Sequence, residues 1–245
     1  VLSLLFVAFR VASGAGTHGR AGVVLFCRVS SFTENFELYI MDAEGKSHRR
    51  LTRNPGWDVD PDWSPDGQTI AFSKHERRGP NICLMDATGV AASTNLTPNQ
   101  SINYGPAWSP DGRTVAFERL SSGDKSFASG DIFVMNRDGT NQRQVTDTTA
   151  ADGDPDWSPD GSQIVFVRTE GLGPTMIGHS EDPPPVKEGI YRIRVDGSGP
   201  TRLTHDDDAI DSSPAWSPDG TRIAFSRSVL GNSRILVMDT DGNNQ

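Results

Sequence analysis

Four positions in the chain make the same polar choice. Asp58, Asn103, Asp152 and Asp211 each stand five residues before a tryptophan, namely Trp63, Trp108, Trp157 and Trp216. Further acids crowd the same stretches: Asp60, Asp154 and the run Asp206 to Asp208. Carboxylates that converge in a low-dielectric setting attract cations, and an all-oxygen donor set suits Ca2+ or Mg2+. The competing use is internal, because Asp and Asn side chains commonly satisfy backbone N–H groups in turns and caps. That use needs no ligand and is the commoner one. No cofactor is therefore expected, with Ca2+ as the alternative. The full EF-hand pattern D-x-[DN]-x-[DN]-G does not occur.

Catalytic signatures are missing. There is no G-x-S-x-G nucleophile elbow and no H-E-x-x-H zinc motif. The histidines are His18, His48, His75, His179 and His205, and of these His205 adjoins the acids Asp206 to Asp208. A single loop histidine is more often solvated than catalytic. The expectation is a binding module and not an enzyme, with channel catalysis involving His205 as the enzyme-class alternative.

The elements that hold these residues are read from an internal repeat. PDWSPDGQTIAFSK begins at Pro61, PAWSPDGRTVAFER at Pro106, PDWSPDGSQIVFVR at Pro155 and PAWSPDGTRIAFSR at Pro214. Between them lie LYIMDAEG, ICLMDATG, IFVMNRDG, YRIRVDG and ILVMDTDG, ending at Gly45, Gly89, Gly139, Gly197 and Gly242. A Leu-Thr or Val-Thr pair follows, with its threonine at Thr52, Thr97, Thr146 or Thr204. From each threonine to the next motif tryptophan is 11, 11, 11 and 12 residues. Such constancy marks a rigid junction.

Ser-Pro-Asp-Gly is a tight turn, with Pro presetting φ and Gly taking the left-handed position. The flanking β-branched and aromatic residues make it a hairpin. The MDxxG segment supplies a third strand with its own turn, and the Leu-Thr segment a fourth. Four antiparallel strands in about 45 residues form a β-propeller blade. A lone blade cannot cover both its faces, so blades must stack. The motif tryptophans and Phe72, Phe117, Phe166 and Phe225 are expected in the core between blades.

The WSPDG, MDxDG and Leu-Thr series resembles the TolB-like propeller family, a relative of WD repeats. The resemblance runs from about Val23 to the C-terminus. It implies an all-β fold of about six blades, an extracytoplasmic setting and docking of a protein or polymer at one mouth. The family serves in the Tol–Pal envelope system, where its propeller contacts the lipoprotein Pal. By the same resemblance Asp58, Asn103, Asp152, Asp211 and His205 fall at a channel mouth. The upstream α/β domain of the full-length family is not in this sequence. Similar propellers precede the hydrolase domain of prolyl-oligopeptidase-type peptidases, so the propeller of such a peptidase is a further alternative.

Five blades are expected, at about 22–52, 61–97, 106–146, 155–204 and 214–245. The first lacks its WSPDG hairpin and the fifth its closing strand, so the ring need not close. Residues 1–15 read as a signal-peptide remnant or a surrogate strand, leaving 16–245 as the propeller.

Composition agrees with this reading. The chain has 245 residues and a net charge of -9, which excludes the basic footprint of a nucleic-acid binder. With 25 Gly and 16 Pro, bundles of long helices are excluded. No apolar run reaches transmembrane length. Cys27 and Cys83 lie in different repeats and are expected as buried thiols. Arg168 to Gly189 and Ser121 to Asp131 are insertions, read as loops. The Asn95-Leu96-Thr97 sequon is explained by the repeat.

Overall fold

The computed structural model describes residues 9–11, 22–29, 35–76, 79–98, 101–120, 129–171 and 187–245. The described residues contain strands and turns, and no helix among them is long and apolar enough to cross a membrane. The first sheet is β1 (Phe9–Val11), β2 (Val23–Val29), β3 (Phe36–Asp42) and β4 (Arg49–Arg50), in chain order. The second is β5 (Asp58–Trp63), β6 (Thr69–Glu76), β7 (Gly79–Asp86) and β8 (Thr94–Asn95). The third is β9 (Ile102–Trp108), β10 (Thr114–Leu120), β11 (Gly130–Asn136) and β12 (Arg143–Gln144). The fourth is β13 (Ala151–Trp157), β14 (Gln163–Glu170), β15 (Lys187–Arg194) and β16 (Thr201–Arg202). The fifth has three strands, β17 (Ile210–Trp216), β18 (Arg222–Val229) and β19 (Asn232–Asp239). The fold class is all-β, built of propeller blades with antiparallel neighbours, as the repeat implies. Phe9–Val11 pairs with β2, Phe9 opposite Phe26. The rest of residues 1–15 lies outside the described residues, as do 121–128 and 172–186 of the two insertions.

Each blade follows from its local sequence. In the WSPDG turn the Gly67 N–H donates to Ser64 O at 2.8 Å, and Gly67 takes φ +66°. Ser64 Oγ donates to Asp66 Oδ1 at 2.6 Å and accepts from the Thr69 N–H at 2.9 Å, which fixes the hairpin's first register pair. Ser109, Ser158 and Ser217 repeat these bonds with Asp111, Asp160 and Asp219. The serine and backbone donors hold all three of those carboxyls below their ordinary range, Asp219 at about 2. The Leu-Thr threonine has a separate task. Thr52, Thr97, Thr146 and Thr204 each accept at Oγ1 the N–H of Leu38, Ile82, Ile132 or Ile190, at 2.9–3.0 Å. The hydroxyl thus continues the third strand's ladder past the end of a fourth strand only two residues long.

The chain forms two compact units, Val1–Trp108 and Ser109–Gln245. The first unit's core joins Leu25, Cys27 and Leu38 to Ile70, Phe72 and Cys83. Both cysteines are buried and neither is in a disulfide, and burial pushes the Cys83 thiol up to about 12. In the second unit Val165, Ile190 and Leu203 pack on Ile223, Phe225 and Met238. The repeat phenylalanines Phe72, Phe117, Phe166 and Phe225 are fully buried. Trp108 and Trp157 are buried, whereas Trp63 and Trp216 remain half-buried.

Successive sheets are stapled through the backbone. The Gly89 Cα of the second blade faces Leu51 of the first so closely that an added Cβ would sit 3.1 Å from Leu51 O. Gly197 meets Val145 O and Gly242 meets Leu203 O in the same way, at 3.0 and 2.4 Å. A second staple is polar. Asp62 Oδ2 accepts the Trp108 N–H at 2.7 Å, and Asp156 Oδ2 accepts the Trp216 N–H at 2.8 Å. These are the acids of the two PDW copies, while the PAW copies carry alanine there. Gly242 and Gly45 both have φ > 0, but nothing lies within 4 Å of a Cβ at Gly45. Gly45→Ala is therefore expected to cost about 1 kcal/mol for the backbone alone. Gly242→Ala adds the clash and is expected to cost at least about 2 kcal/mol more, measured as the difference in urea unfolding free energies.

Candidate functional site

The repeated polar positions all fall at or beside the start of the blade's first strand. Asp58, Asn103, Asp152 and Asp211 are each 0% exposed. Their burial has a sequence cause beyond the acids themselves. Eleven residues after each motif tryptophan stands a base: Lys74, Arg119, Arg168 or Arg227. The antiparallel register sets Asp58 opposite Lys74, Asp152 opposite Arg168 and Asp211 opposite Arg227.

In the fourth and fifth blades the pair closes as a fork. Arg168 donates from Nε to Asp152 Oδ1 at 2.7 Å and from Nη2 to Oδ2 at 2.8 Å. Arg227 grips Asp211 with the same two bonds at 2.7 and 2.8 Å. The carboxylate raises the pKa of each guanidinium. Each arginine also lies over the core phenylalanine two residues before it, Arg168 5.4 Å from the Phe166 centroid and Arg227 5.2 Å from Phe225. In the third blade Arg119 lies 5.1 Å from the Phe117 centroid, and burial lowers its pKa. Asn103 Nδ2 donates to Ser101 O at 2.9 Å.

The second blade departs from the pattern. Lys74 turns to Glu76, Nζ to Oε1 3.3 Å, and makes no fork with Asp58. Asp58 Oδ2 accepts from Asn54 Nδ2, but Oδ1 is buried with no hydrogen-bond partner among the described residues. The neighbouring Thr52 hydroxyl gives its proton to Glu37 Oε2 at 2.7 Å. Glu37 is itself 0% exposed and bonded to Arg50. Burial first, and the Glu37 charge after it, outweigh the pull of Thr52, Asn54 and Lys74, and raise Asp58 to about 6.

The other acids stay at the surface. Asp154, Asp206, Asp207 and Asp208 are exposed, as is His205. Asp207 binds Lys187 at 2.6 Å and Arg202 at 2.9 Å. Asp60, Asp154 and Ser213 share one further trait with Gly105: all have φ near +50° and stand three residues before the motif tryptophan. The pairing of β5, β13 and β17 shifts register at this point, a bulge that re-aims the strand start. Among the described residues no three His, Cys, Asp or Glu side chains are grouped to hold a metal ion.

Three features of the site escaped the sequence reading. The base eleven residues after each tryptophan is as regular as the acid five before it, and that spacing was the available signal. The alternation of PDW with PAW signalled the staple. Trp57 is the third, a tryptophan outside the motif.

The contrast between blades sets opposite outcomes for one substitution. Asp152→Asn leaves a buried guanidinium without its counter-charge and is expected to cost about 3 kcal/mol. For Asp58 the folded pKa of about 6 lies above the unfolded 3.8. The unfolded chain therefore sheds this proton first, and stability falls as pH rises between those values. At neutral pH the full penalty is about 3 kcal/mol. Asp58→Asn removes it, so the variant is expected to be more stable than the parent at about pH 7.5 and no more stable at about pH 4. Urea unfolding of both variants at the two pH values checks this.

The comparisons agree with the geometry. The model of the TolB beta propeller domain matches residues 23–178, well over half of the chain. A Tol-Pal system protein TolB from Bordetella pertussis is 45% identical over 47 residues, 19% of this chain and 11% of that protein. The match thus spans about a tenth of that relative's length. A TolB-type chain from Agrobacterium tumefaciens superposes with a TM-score of 0.69 at 26% identity, over 91% of this chain and 75% of that one. An oligogalacturonate lyase from Vibrio parahaemolyticus shares the fold alone, at 16% identity and a TM-score of 0.61, over 90% of this chain and 60% of the lyase. On repeat, strand order and family match together, the chain belongs to the TolB beta propeller domain family.

Proposed function

We propose that this chain is a non-catalytic docking scaffold of the cell envelope, working outside the cytoplasm, which binds a protein or polymer partner at the strand-start ends of its blades. One observation carries the reading. Asp152 and Asp211 commit both carboxylate oxygens to internal arginines. The strand starts are therefore rigid seats, and exposed charge sits on the loop that leads into β17. Asp206 and Asp208 are exposed acids there, on a chain of net charge -9. Such loop charges select cationic groups and act chiefly on association rate. Loops on a rigid scaffold are also where binding residues concentrate. The relatives named as Tol-Pal system proteins give the partner class to try first.

The experiment is isothermal titration of this chain with the soluble domain of a Pal lipoprotein from a Tol–Pal system. Saturable binding is expected. It should weaken at least about fivefold on raising NaCl from about 0.05 to 0.5 M. The double variant Asp206→Lys with Asp208→Lys should raise Kd about tenfold, with its melting curve checking the fold because Asp206 also stands 3.9 Å from Arg227. Absence of saturation by Pal at about 100 µM, far above the Kd of a specific interface, would sink the proposal. So would a double variant that binds as the parent does.

A further inference from the structure

The first unit carries a cavity of about 1070 Å3 that the docking reading does not use. Asn54, Trp57, Lys74, Glu76, Asn81 and Asn95 line it. Trp57 is set apart from the other tryptophans. It stands six residues before Trp63, where the other copies have Ile102, Ala151 and Ile210. It is 45% exposed although it is the largest side chain in its segment. It does not swing freely. The His75 N–H donates to Trp57 O at 2.7 Å, and the preceding Gly56 lies so close to β6 that a Cβ there would fall 2.0 Å from His75 O.

Two rings pack on the indole. Phe36 meets Trp57 edge-on at 5.4 Å between centroids and 72° between planes. His75 lies 5.4 Å from it, tilted by 44°, and Tyr104 lies 5.5 Å from His75. The four rings form one contact chain, of which Trp57 and His75 line the cavity. An immobile, half-exposed indole offers a flat apolar face at small entropic cost.

The rest of the lining is polar but balanced. Lys74 and Glu76 pair with each other, so among the described lining residues the two side-chain charges offset one another. Asn95 Oδ1 accepts the Thr97 N–H at 2.9 Å, and its Nδ2 has no partner among the described residues. Asn54 Nδ2 is taken by Asp58, which leaves Asn54 Oδ1 as an acceptor. His75 is held below its ordinary pKa by burial, so at neutral pH it offers one donor and one acceptor. Mixed donors and acceptors beside a flat apolar ring match a molecule with hydroxyls around its rim and C–H bonds on its faces.

We infer that this groove, walled by Trp57 and edged by Asn54 and Asn95, binds a neutral saccharide, with a pyranose ring stacked on the indole and its hydroxyls bonded to the two amides. The volume holds two or three sugar rings, just above the roughly 300–1,000 Å3 usual for small-ligand clefts. The site goes beyond the docking reading and shares neither of the loop acids Asp206 and Asp208 with it.

The test is titration of the full chain with maltotriose, cellotriose and triacetylchitotriose, each to about 20 mM, a range that captures the weak end of specific affinity. Tryptophan fluorescence and side-chain amide NMR are the readouts. At least one sugar is expected to saturate with Kd of about 1 mM or below. It should shift the Trp57 indole N–H and the Asn54 and Asn95 amides. Trp57→Ala should weaken that sugar at least about tenfold, while Trp57→Phe keeps a ring and stays within about threefold. The NMR shifts in the parent protein locate the site even if Trp57→Ala fails to fold. The inference is overturned if no sugar saturates, if the shifts fall elsewhere, or if Trp57→Ala binds as the parent does. Trp57-dependent binding of a tripeptide with no sugar response would make the groove a peptide site and overturn it equally. Pal binding is measured with other residues, so either result leaves the docking proposal to its own test.

Discussion

The close approach of one blade's turn glycine to the previous blade's Leu-Thr backbone is the constraint on which the rest depends. Gly89 against Leu51, Gly197 against Val145 and Gly242 against Leu203 set a distance that no side chain can occupy. With that distance fixed, the faces of neighbouring sheets are near enough to bury Phe72 in one unit and Phe166 and Phe225 in the other. Wider spacing would leave each phenylalanine half solvated and lose a few kcal/mol of apolar burial per residue. The staple is backbone geometry, so it tolerates change at most other positions. That is why the loops between WSPDG and MDxxG vary in length while the interval from threonine to tryptophan holds at 11 or 12 residues.

The ion pairs at the strand starts depend on the same spacing. A charge at 0% exposure is tolerable only with a partner at bonding distance. The bulge supplies the aim: a left-handed residue three before the tryptophan turns the strand start so that the acid five before it meets the base on the next strand. In the fourth and fifth blades acid, base and phenylalanine make one stack. The second blade has lysine in place of arginine. Lysine is a point charge on a flexible stem and lacks the fork that locks a carboxylate. Its departure toward Glu76 leaves Asp58 under-bonded and, in the same move, neutralises the edge of the Trp57 groove. One substitution in the repeat thus separates a structural blade from one with a cavity suited to a ligand.

Much of this was legible in the sequence, because repetition turns weak local signals into strong ones. A single Ser-Pro-Asp-Gly suggests a turn, whereas four copies at fixed distance from a Leu-Thr pair specify a blade. The glycines of the turns and the phenylalanines of the core follow from local rules. The site was less legible for a physical reason. An acid read alone appears solvent-facing, and its burial shows only once the base eleven residues past the tryptophan is placed across the strand pair. Asp58, Asp152 and Asp211 look identical in sequence but differ in charge environment, because the difference resides in the partner and not in the acid. Trp57 was hidden by its neighbourhood: beside Trp63 it reads as core, yet six residues before the motif is a position that other copies leave half-buried or exposed.

The division between binding and structure in this chain follows from where the repeat is kept and where it is broken. The WSPDG serine and one oxygen of its aspartate, kept in every copy, are bonded inside their own blade. Departures between copies carry groups open to a ligand: the amide of Asn95, the exposed face of Trp57 and the acids between Thr204 and Ile210. A repeat protein gains its rigidity from identity between units, since each interface must fit the next. Recognition of an asymmetric ligand requires the reverse. Selectivity therefore has to reside in the departures, and these cluster at the strand-start ends, where the backbone is fixed but side chains are not confined between sheets.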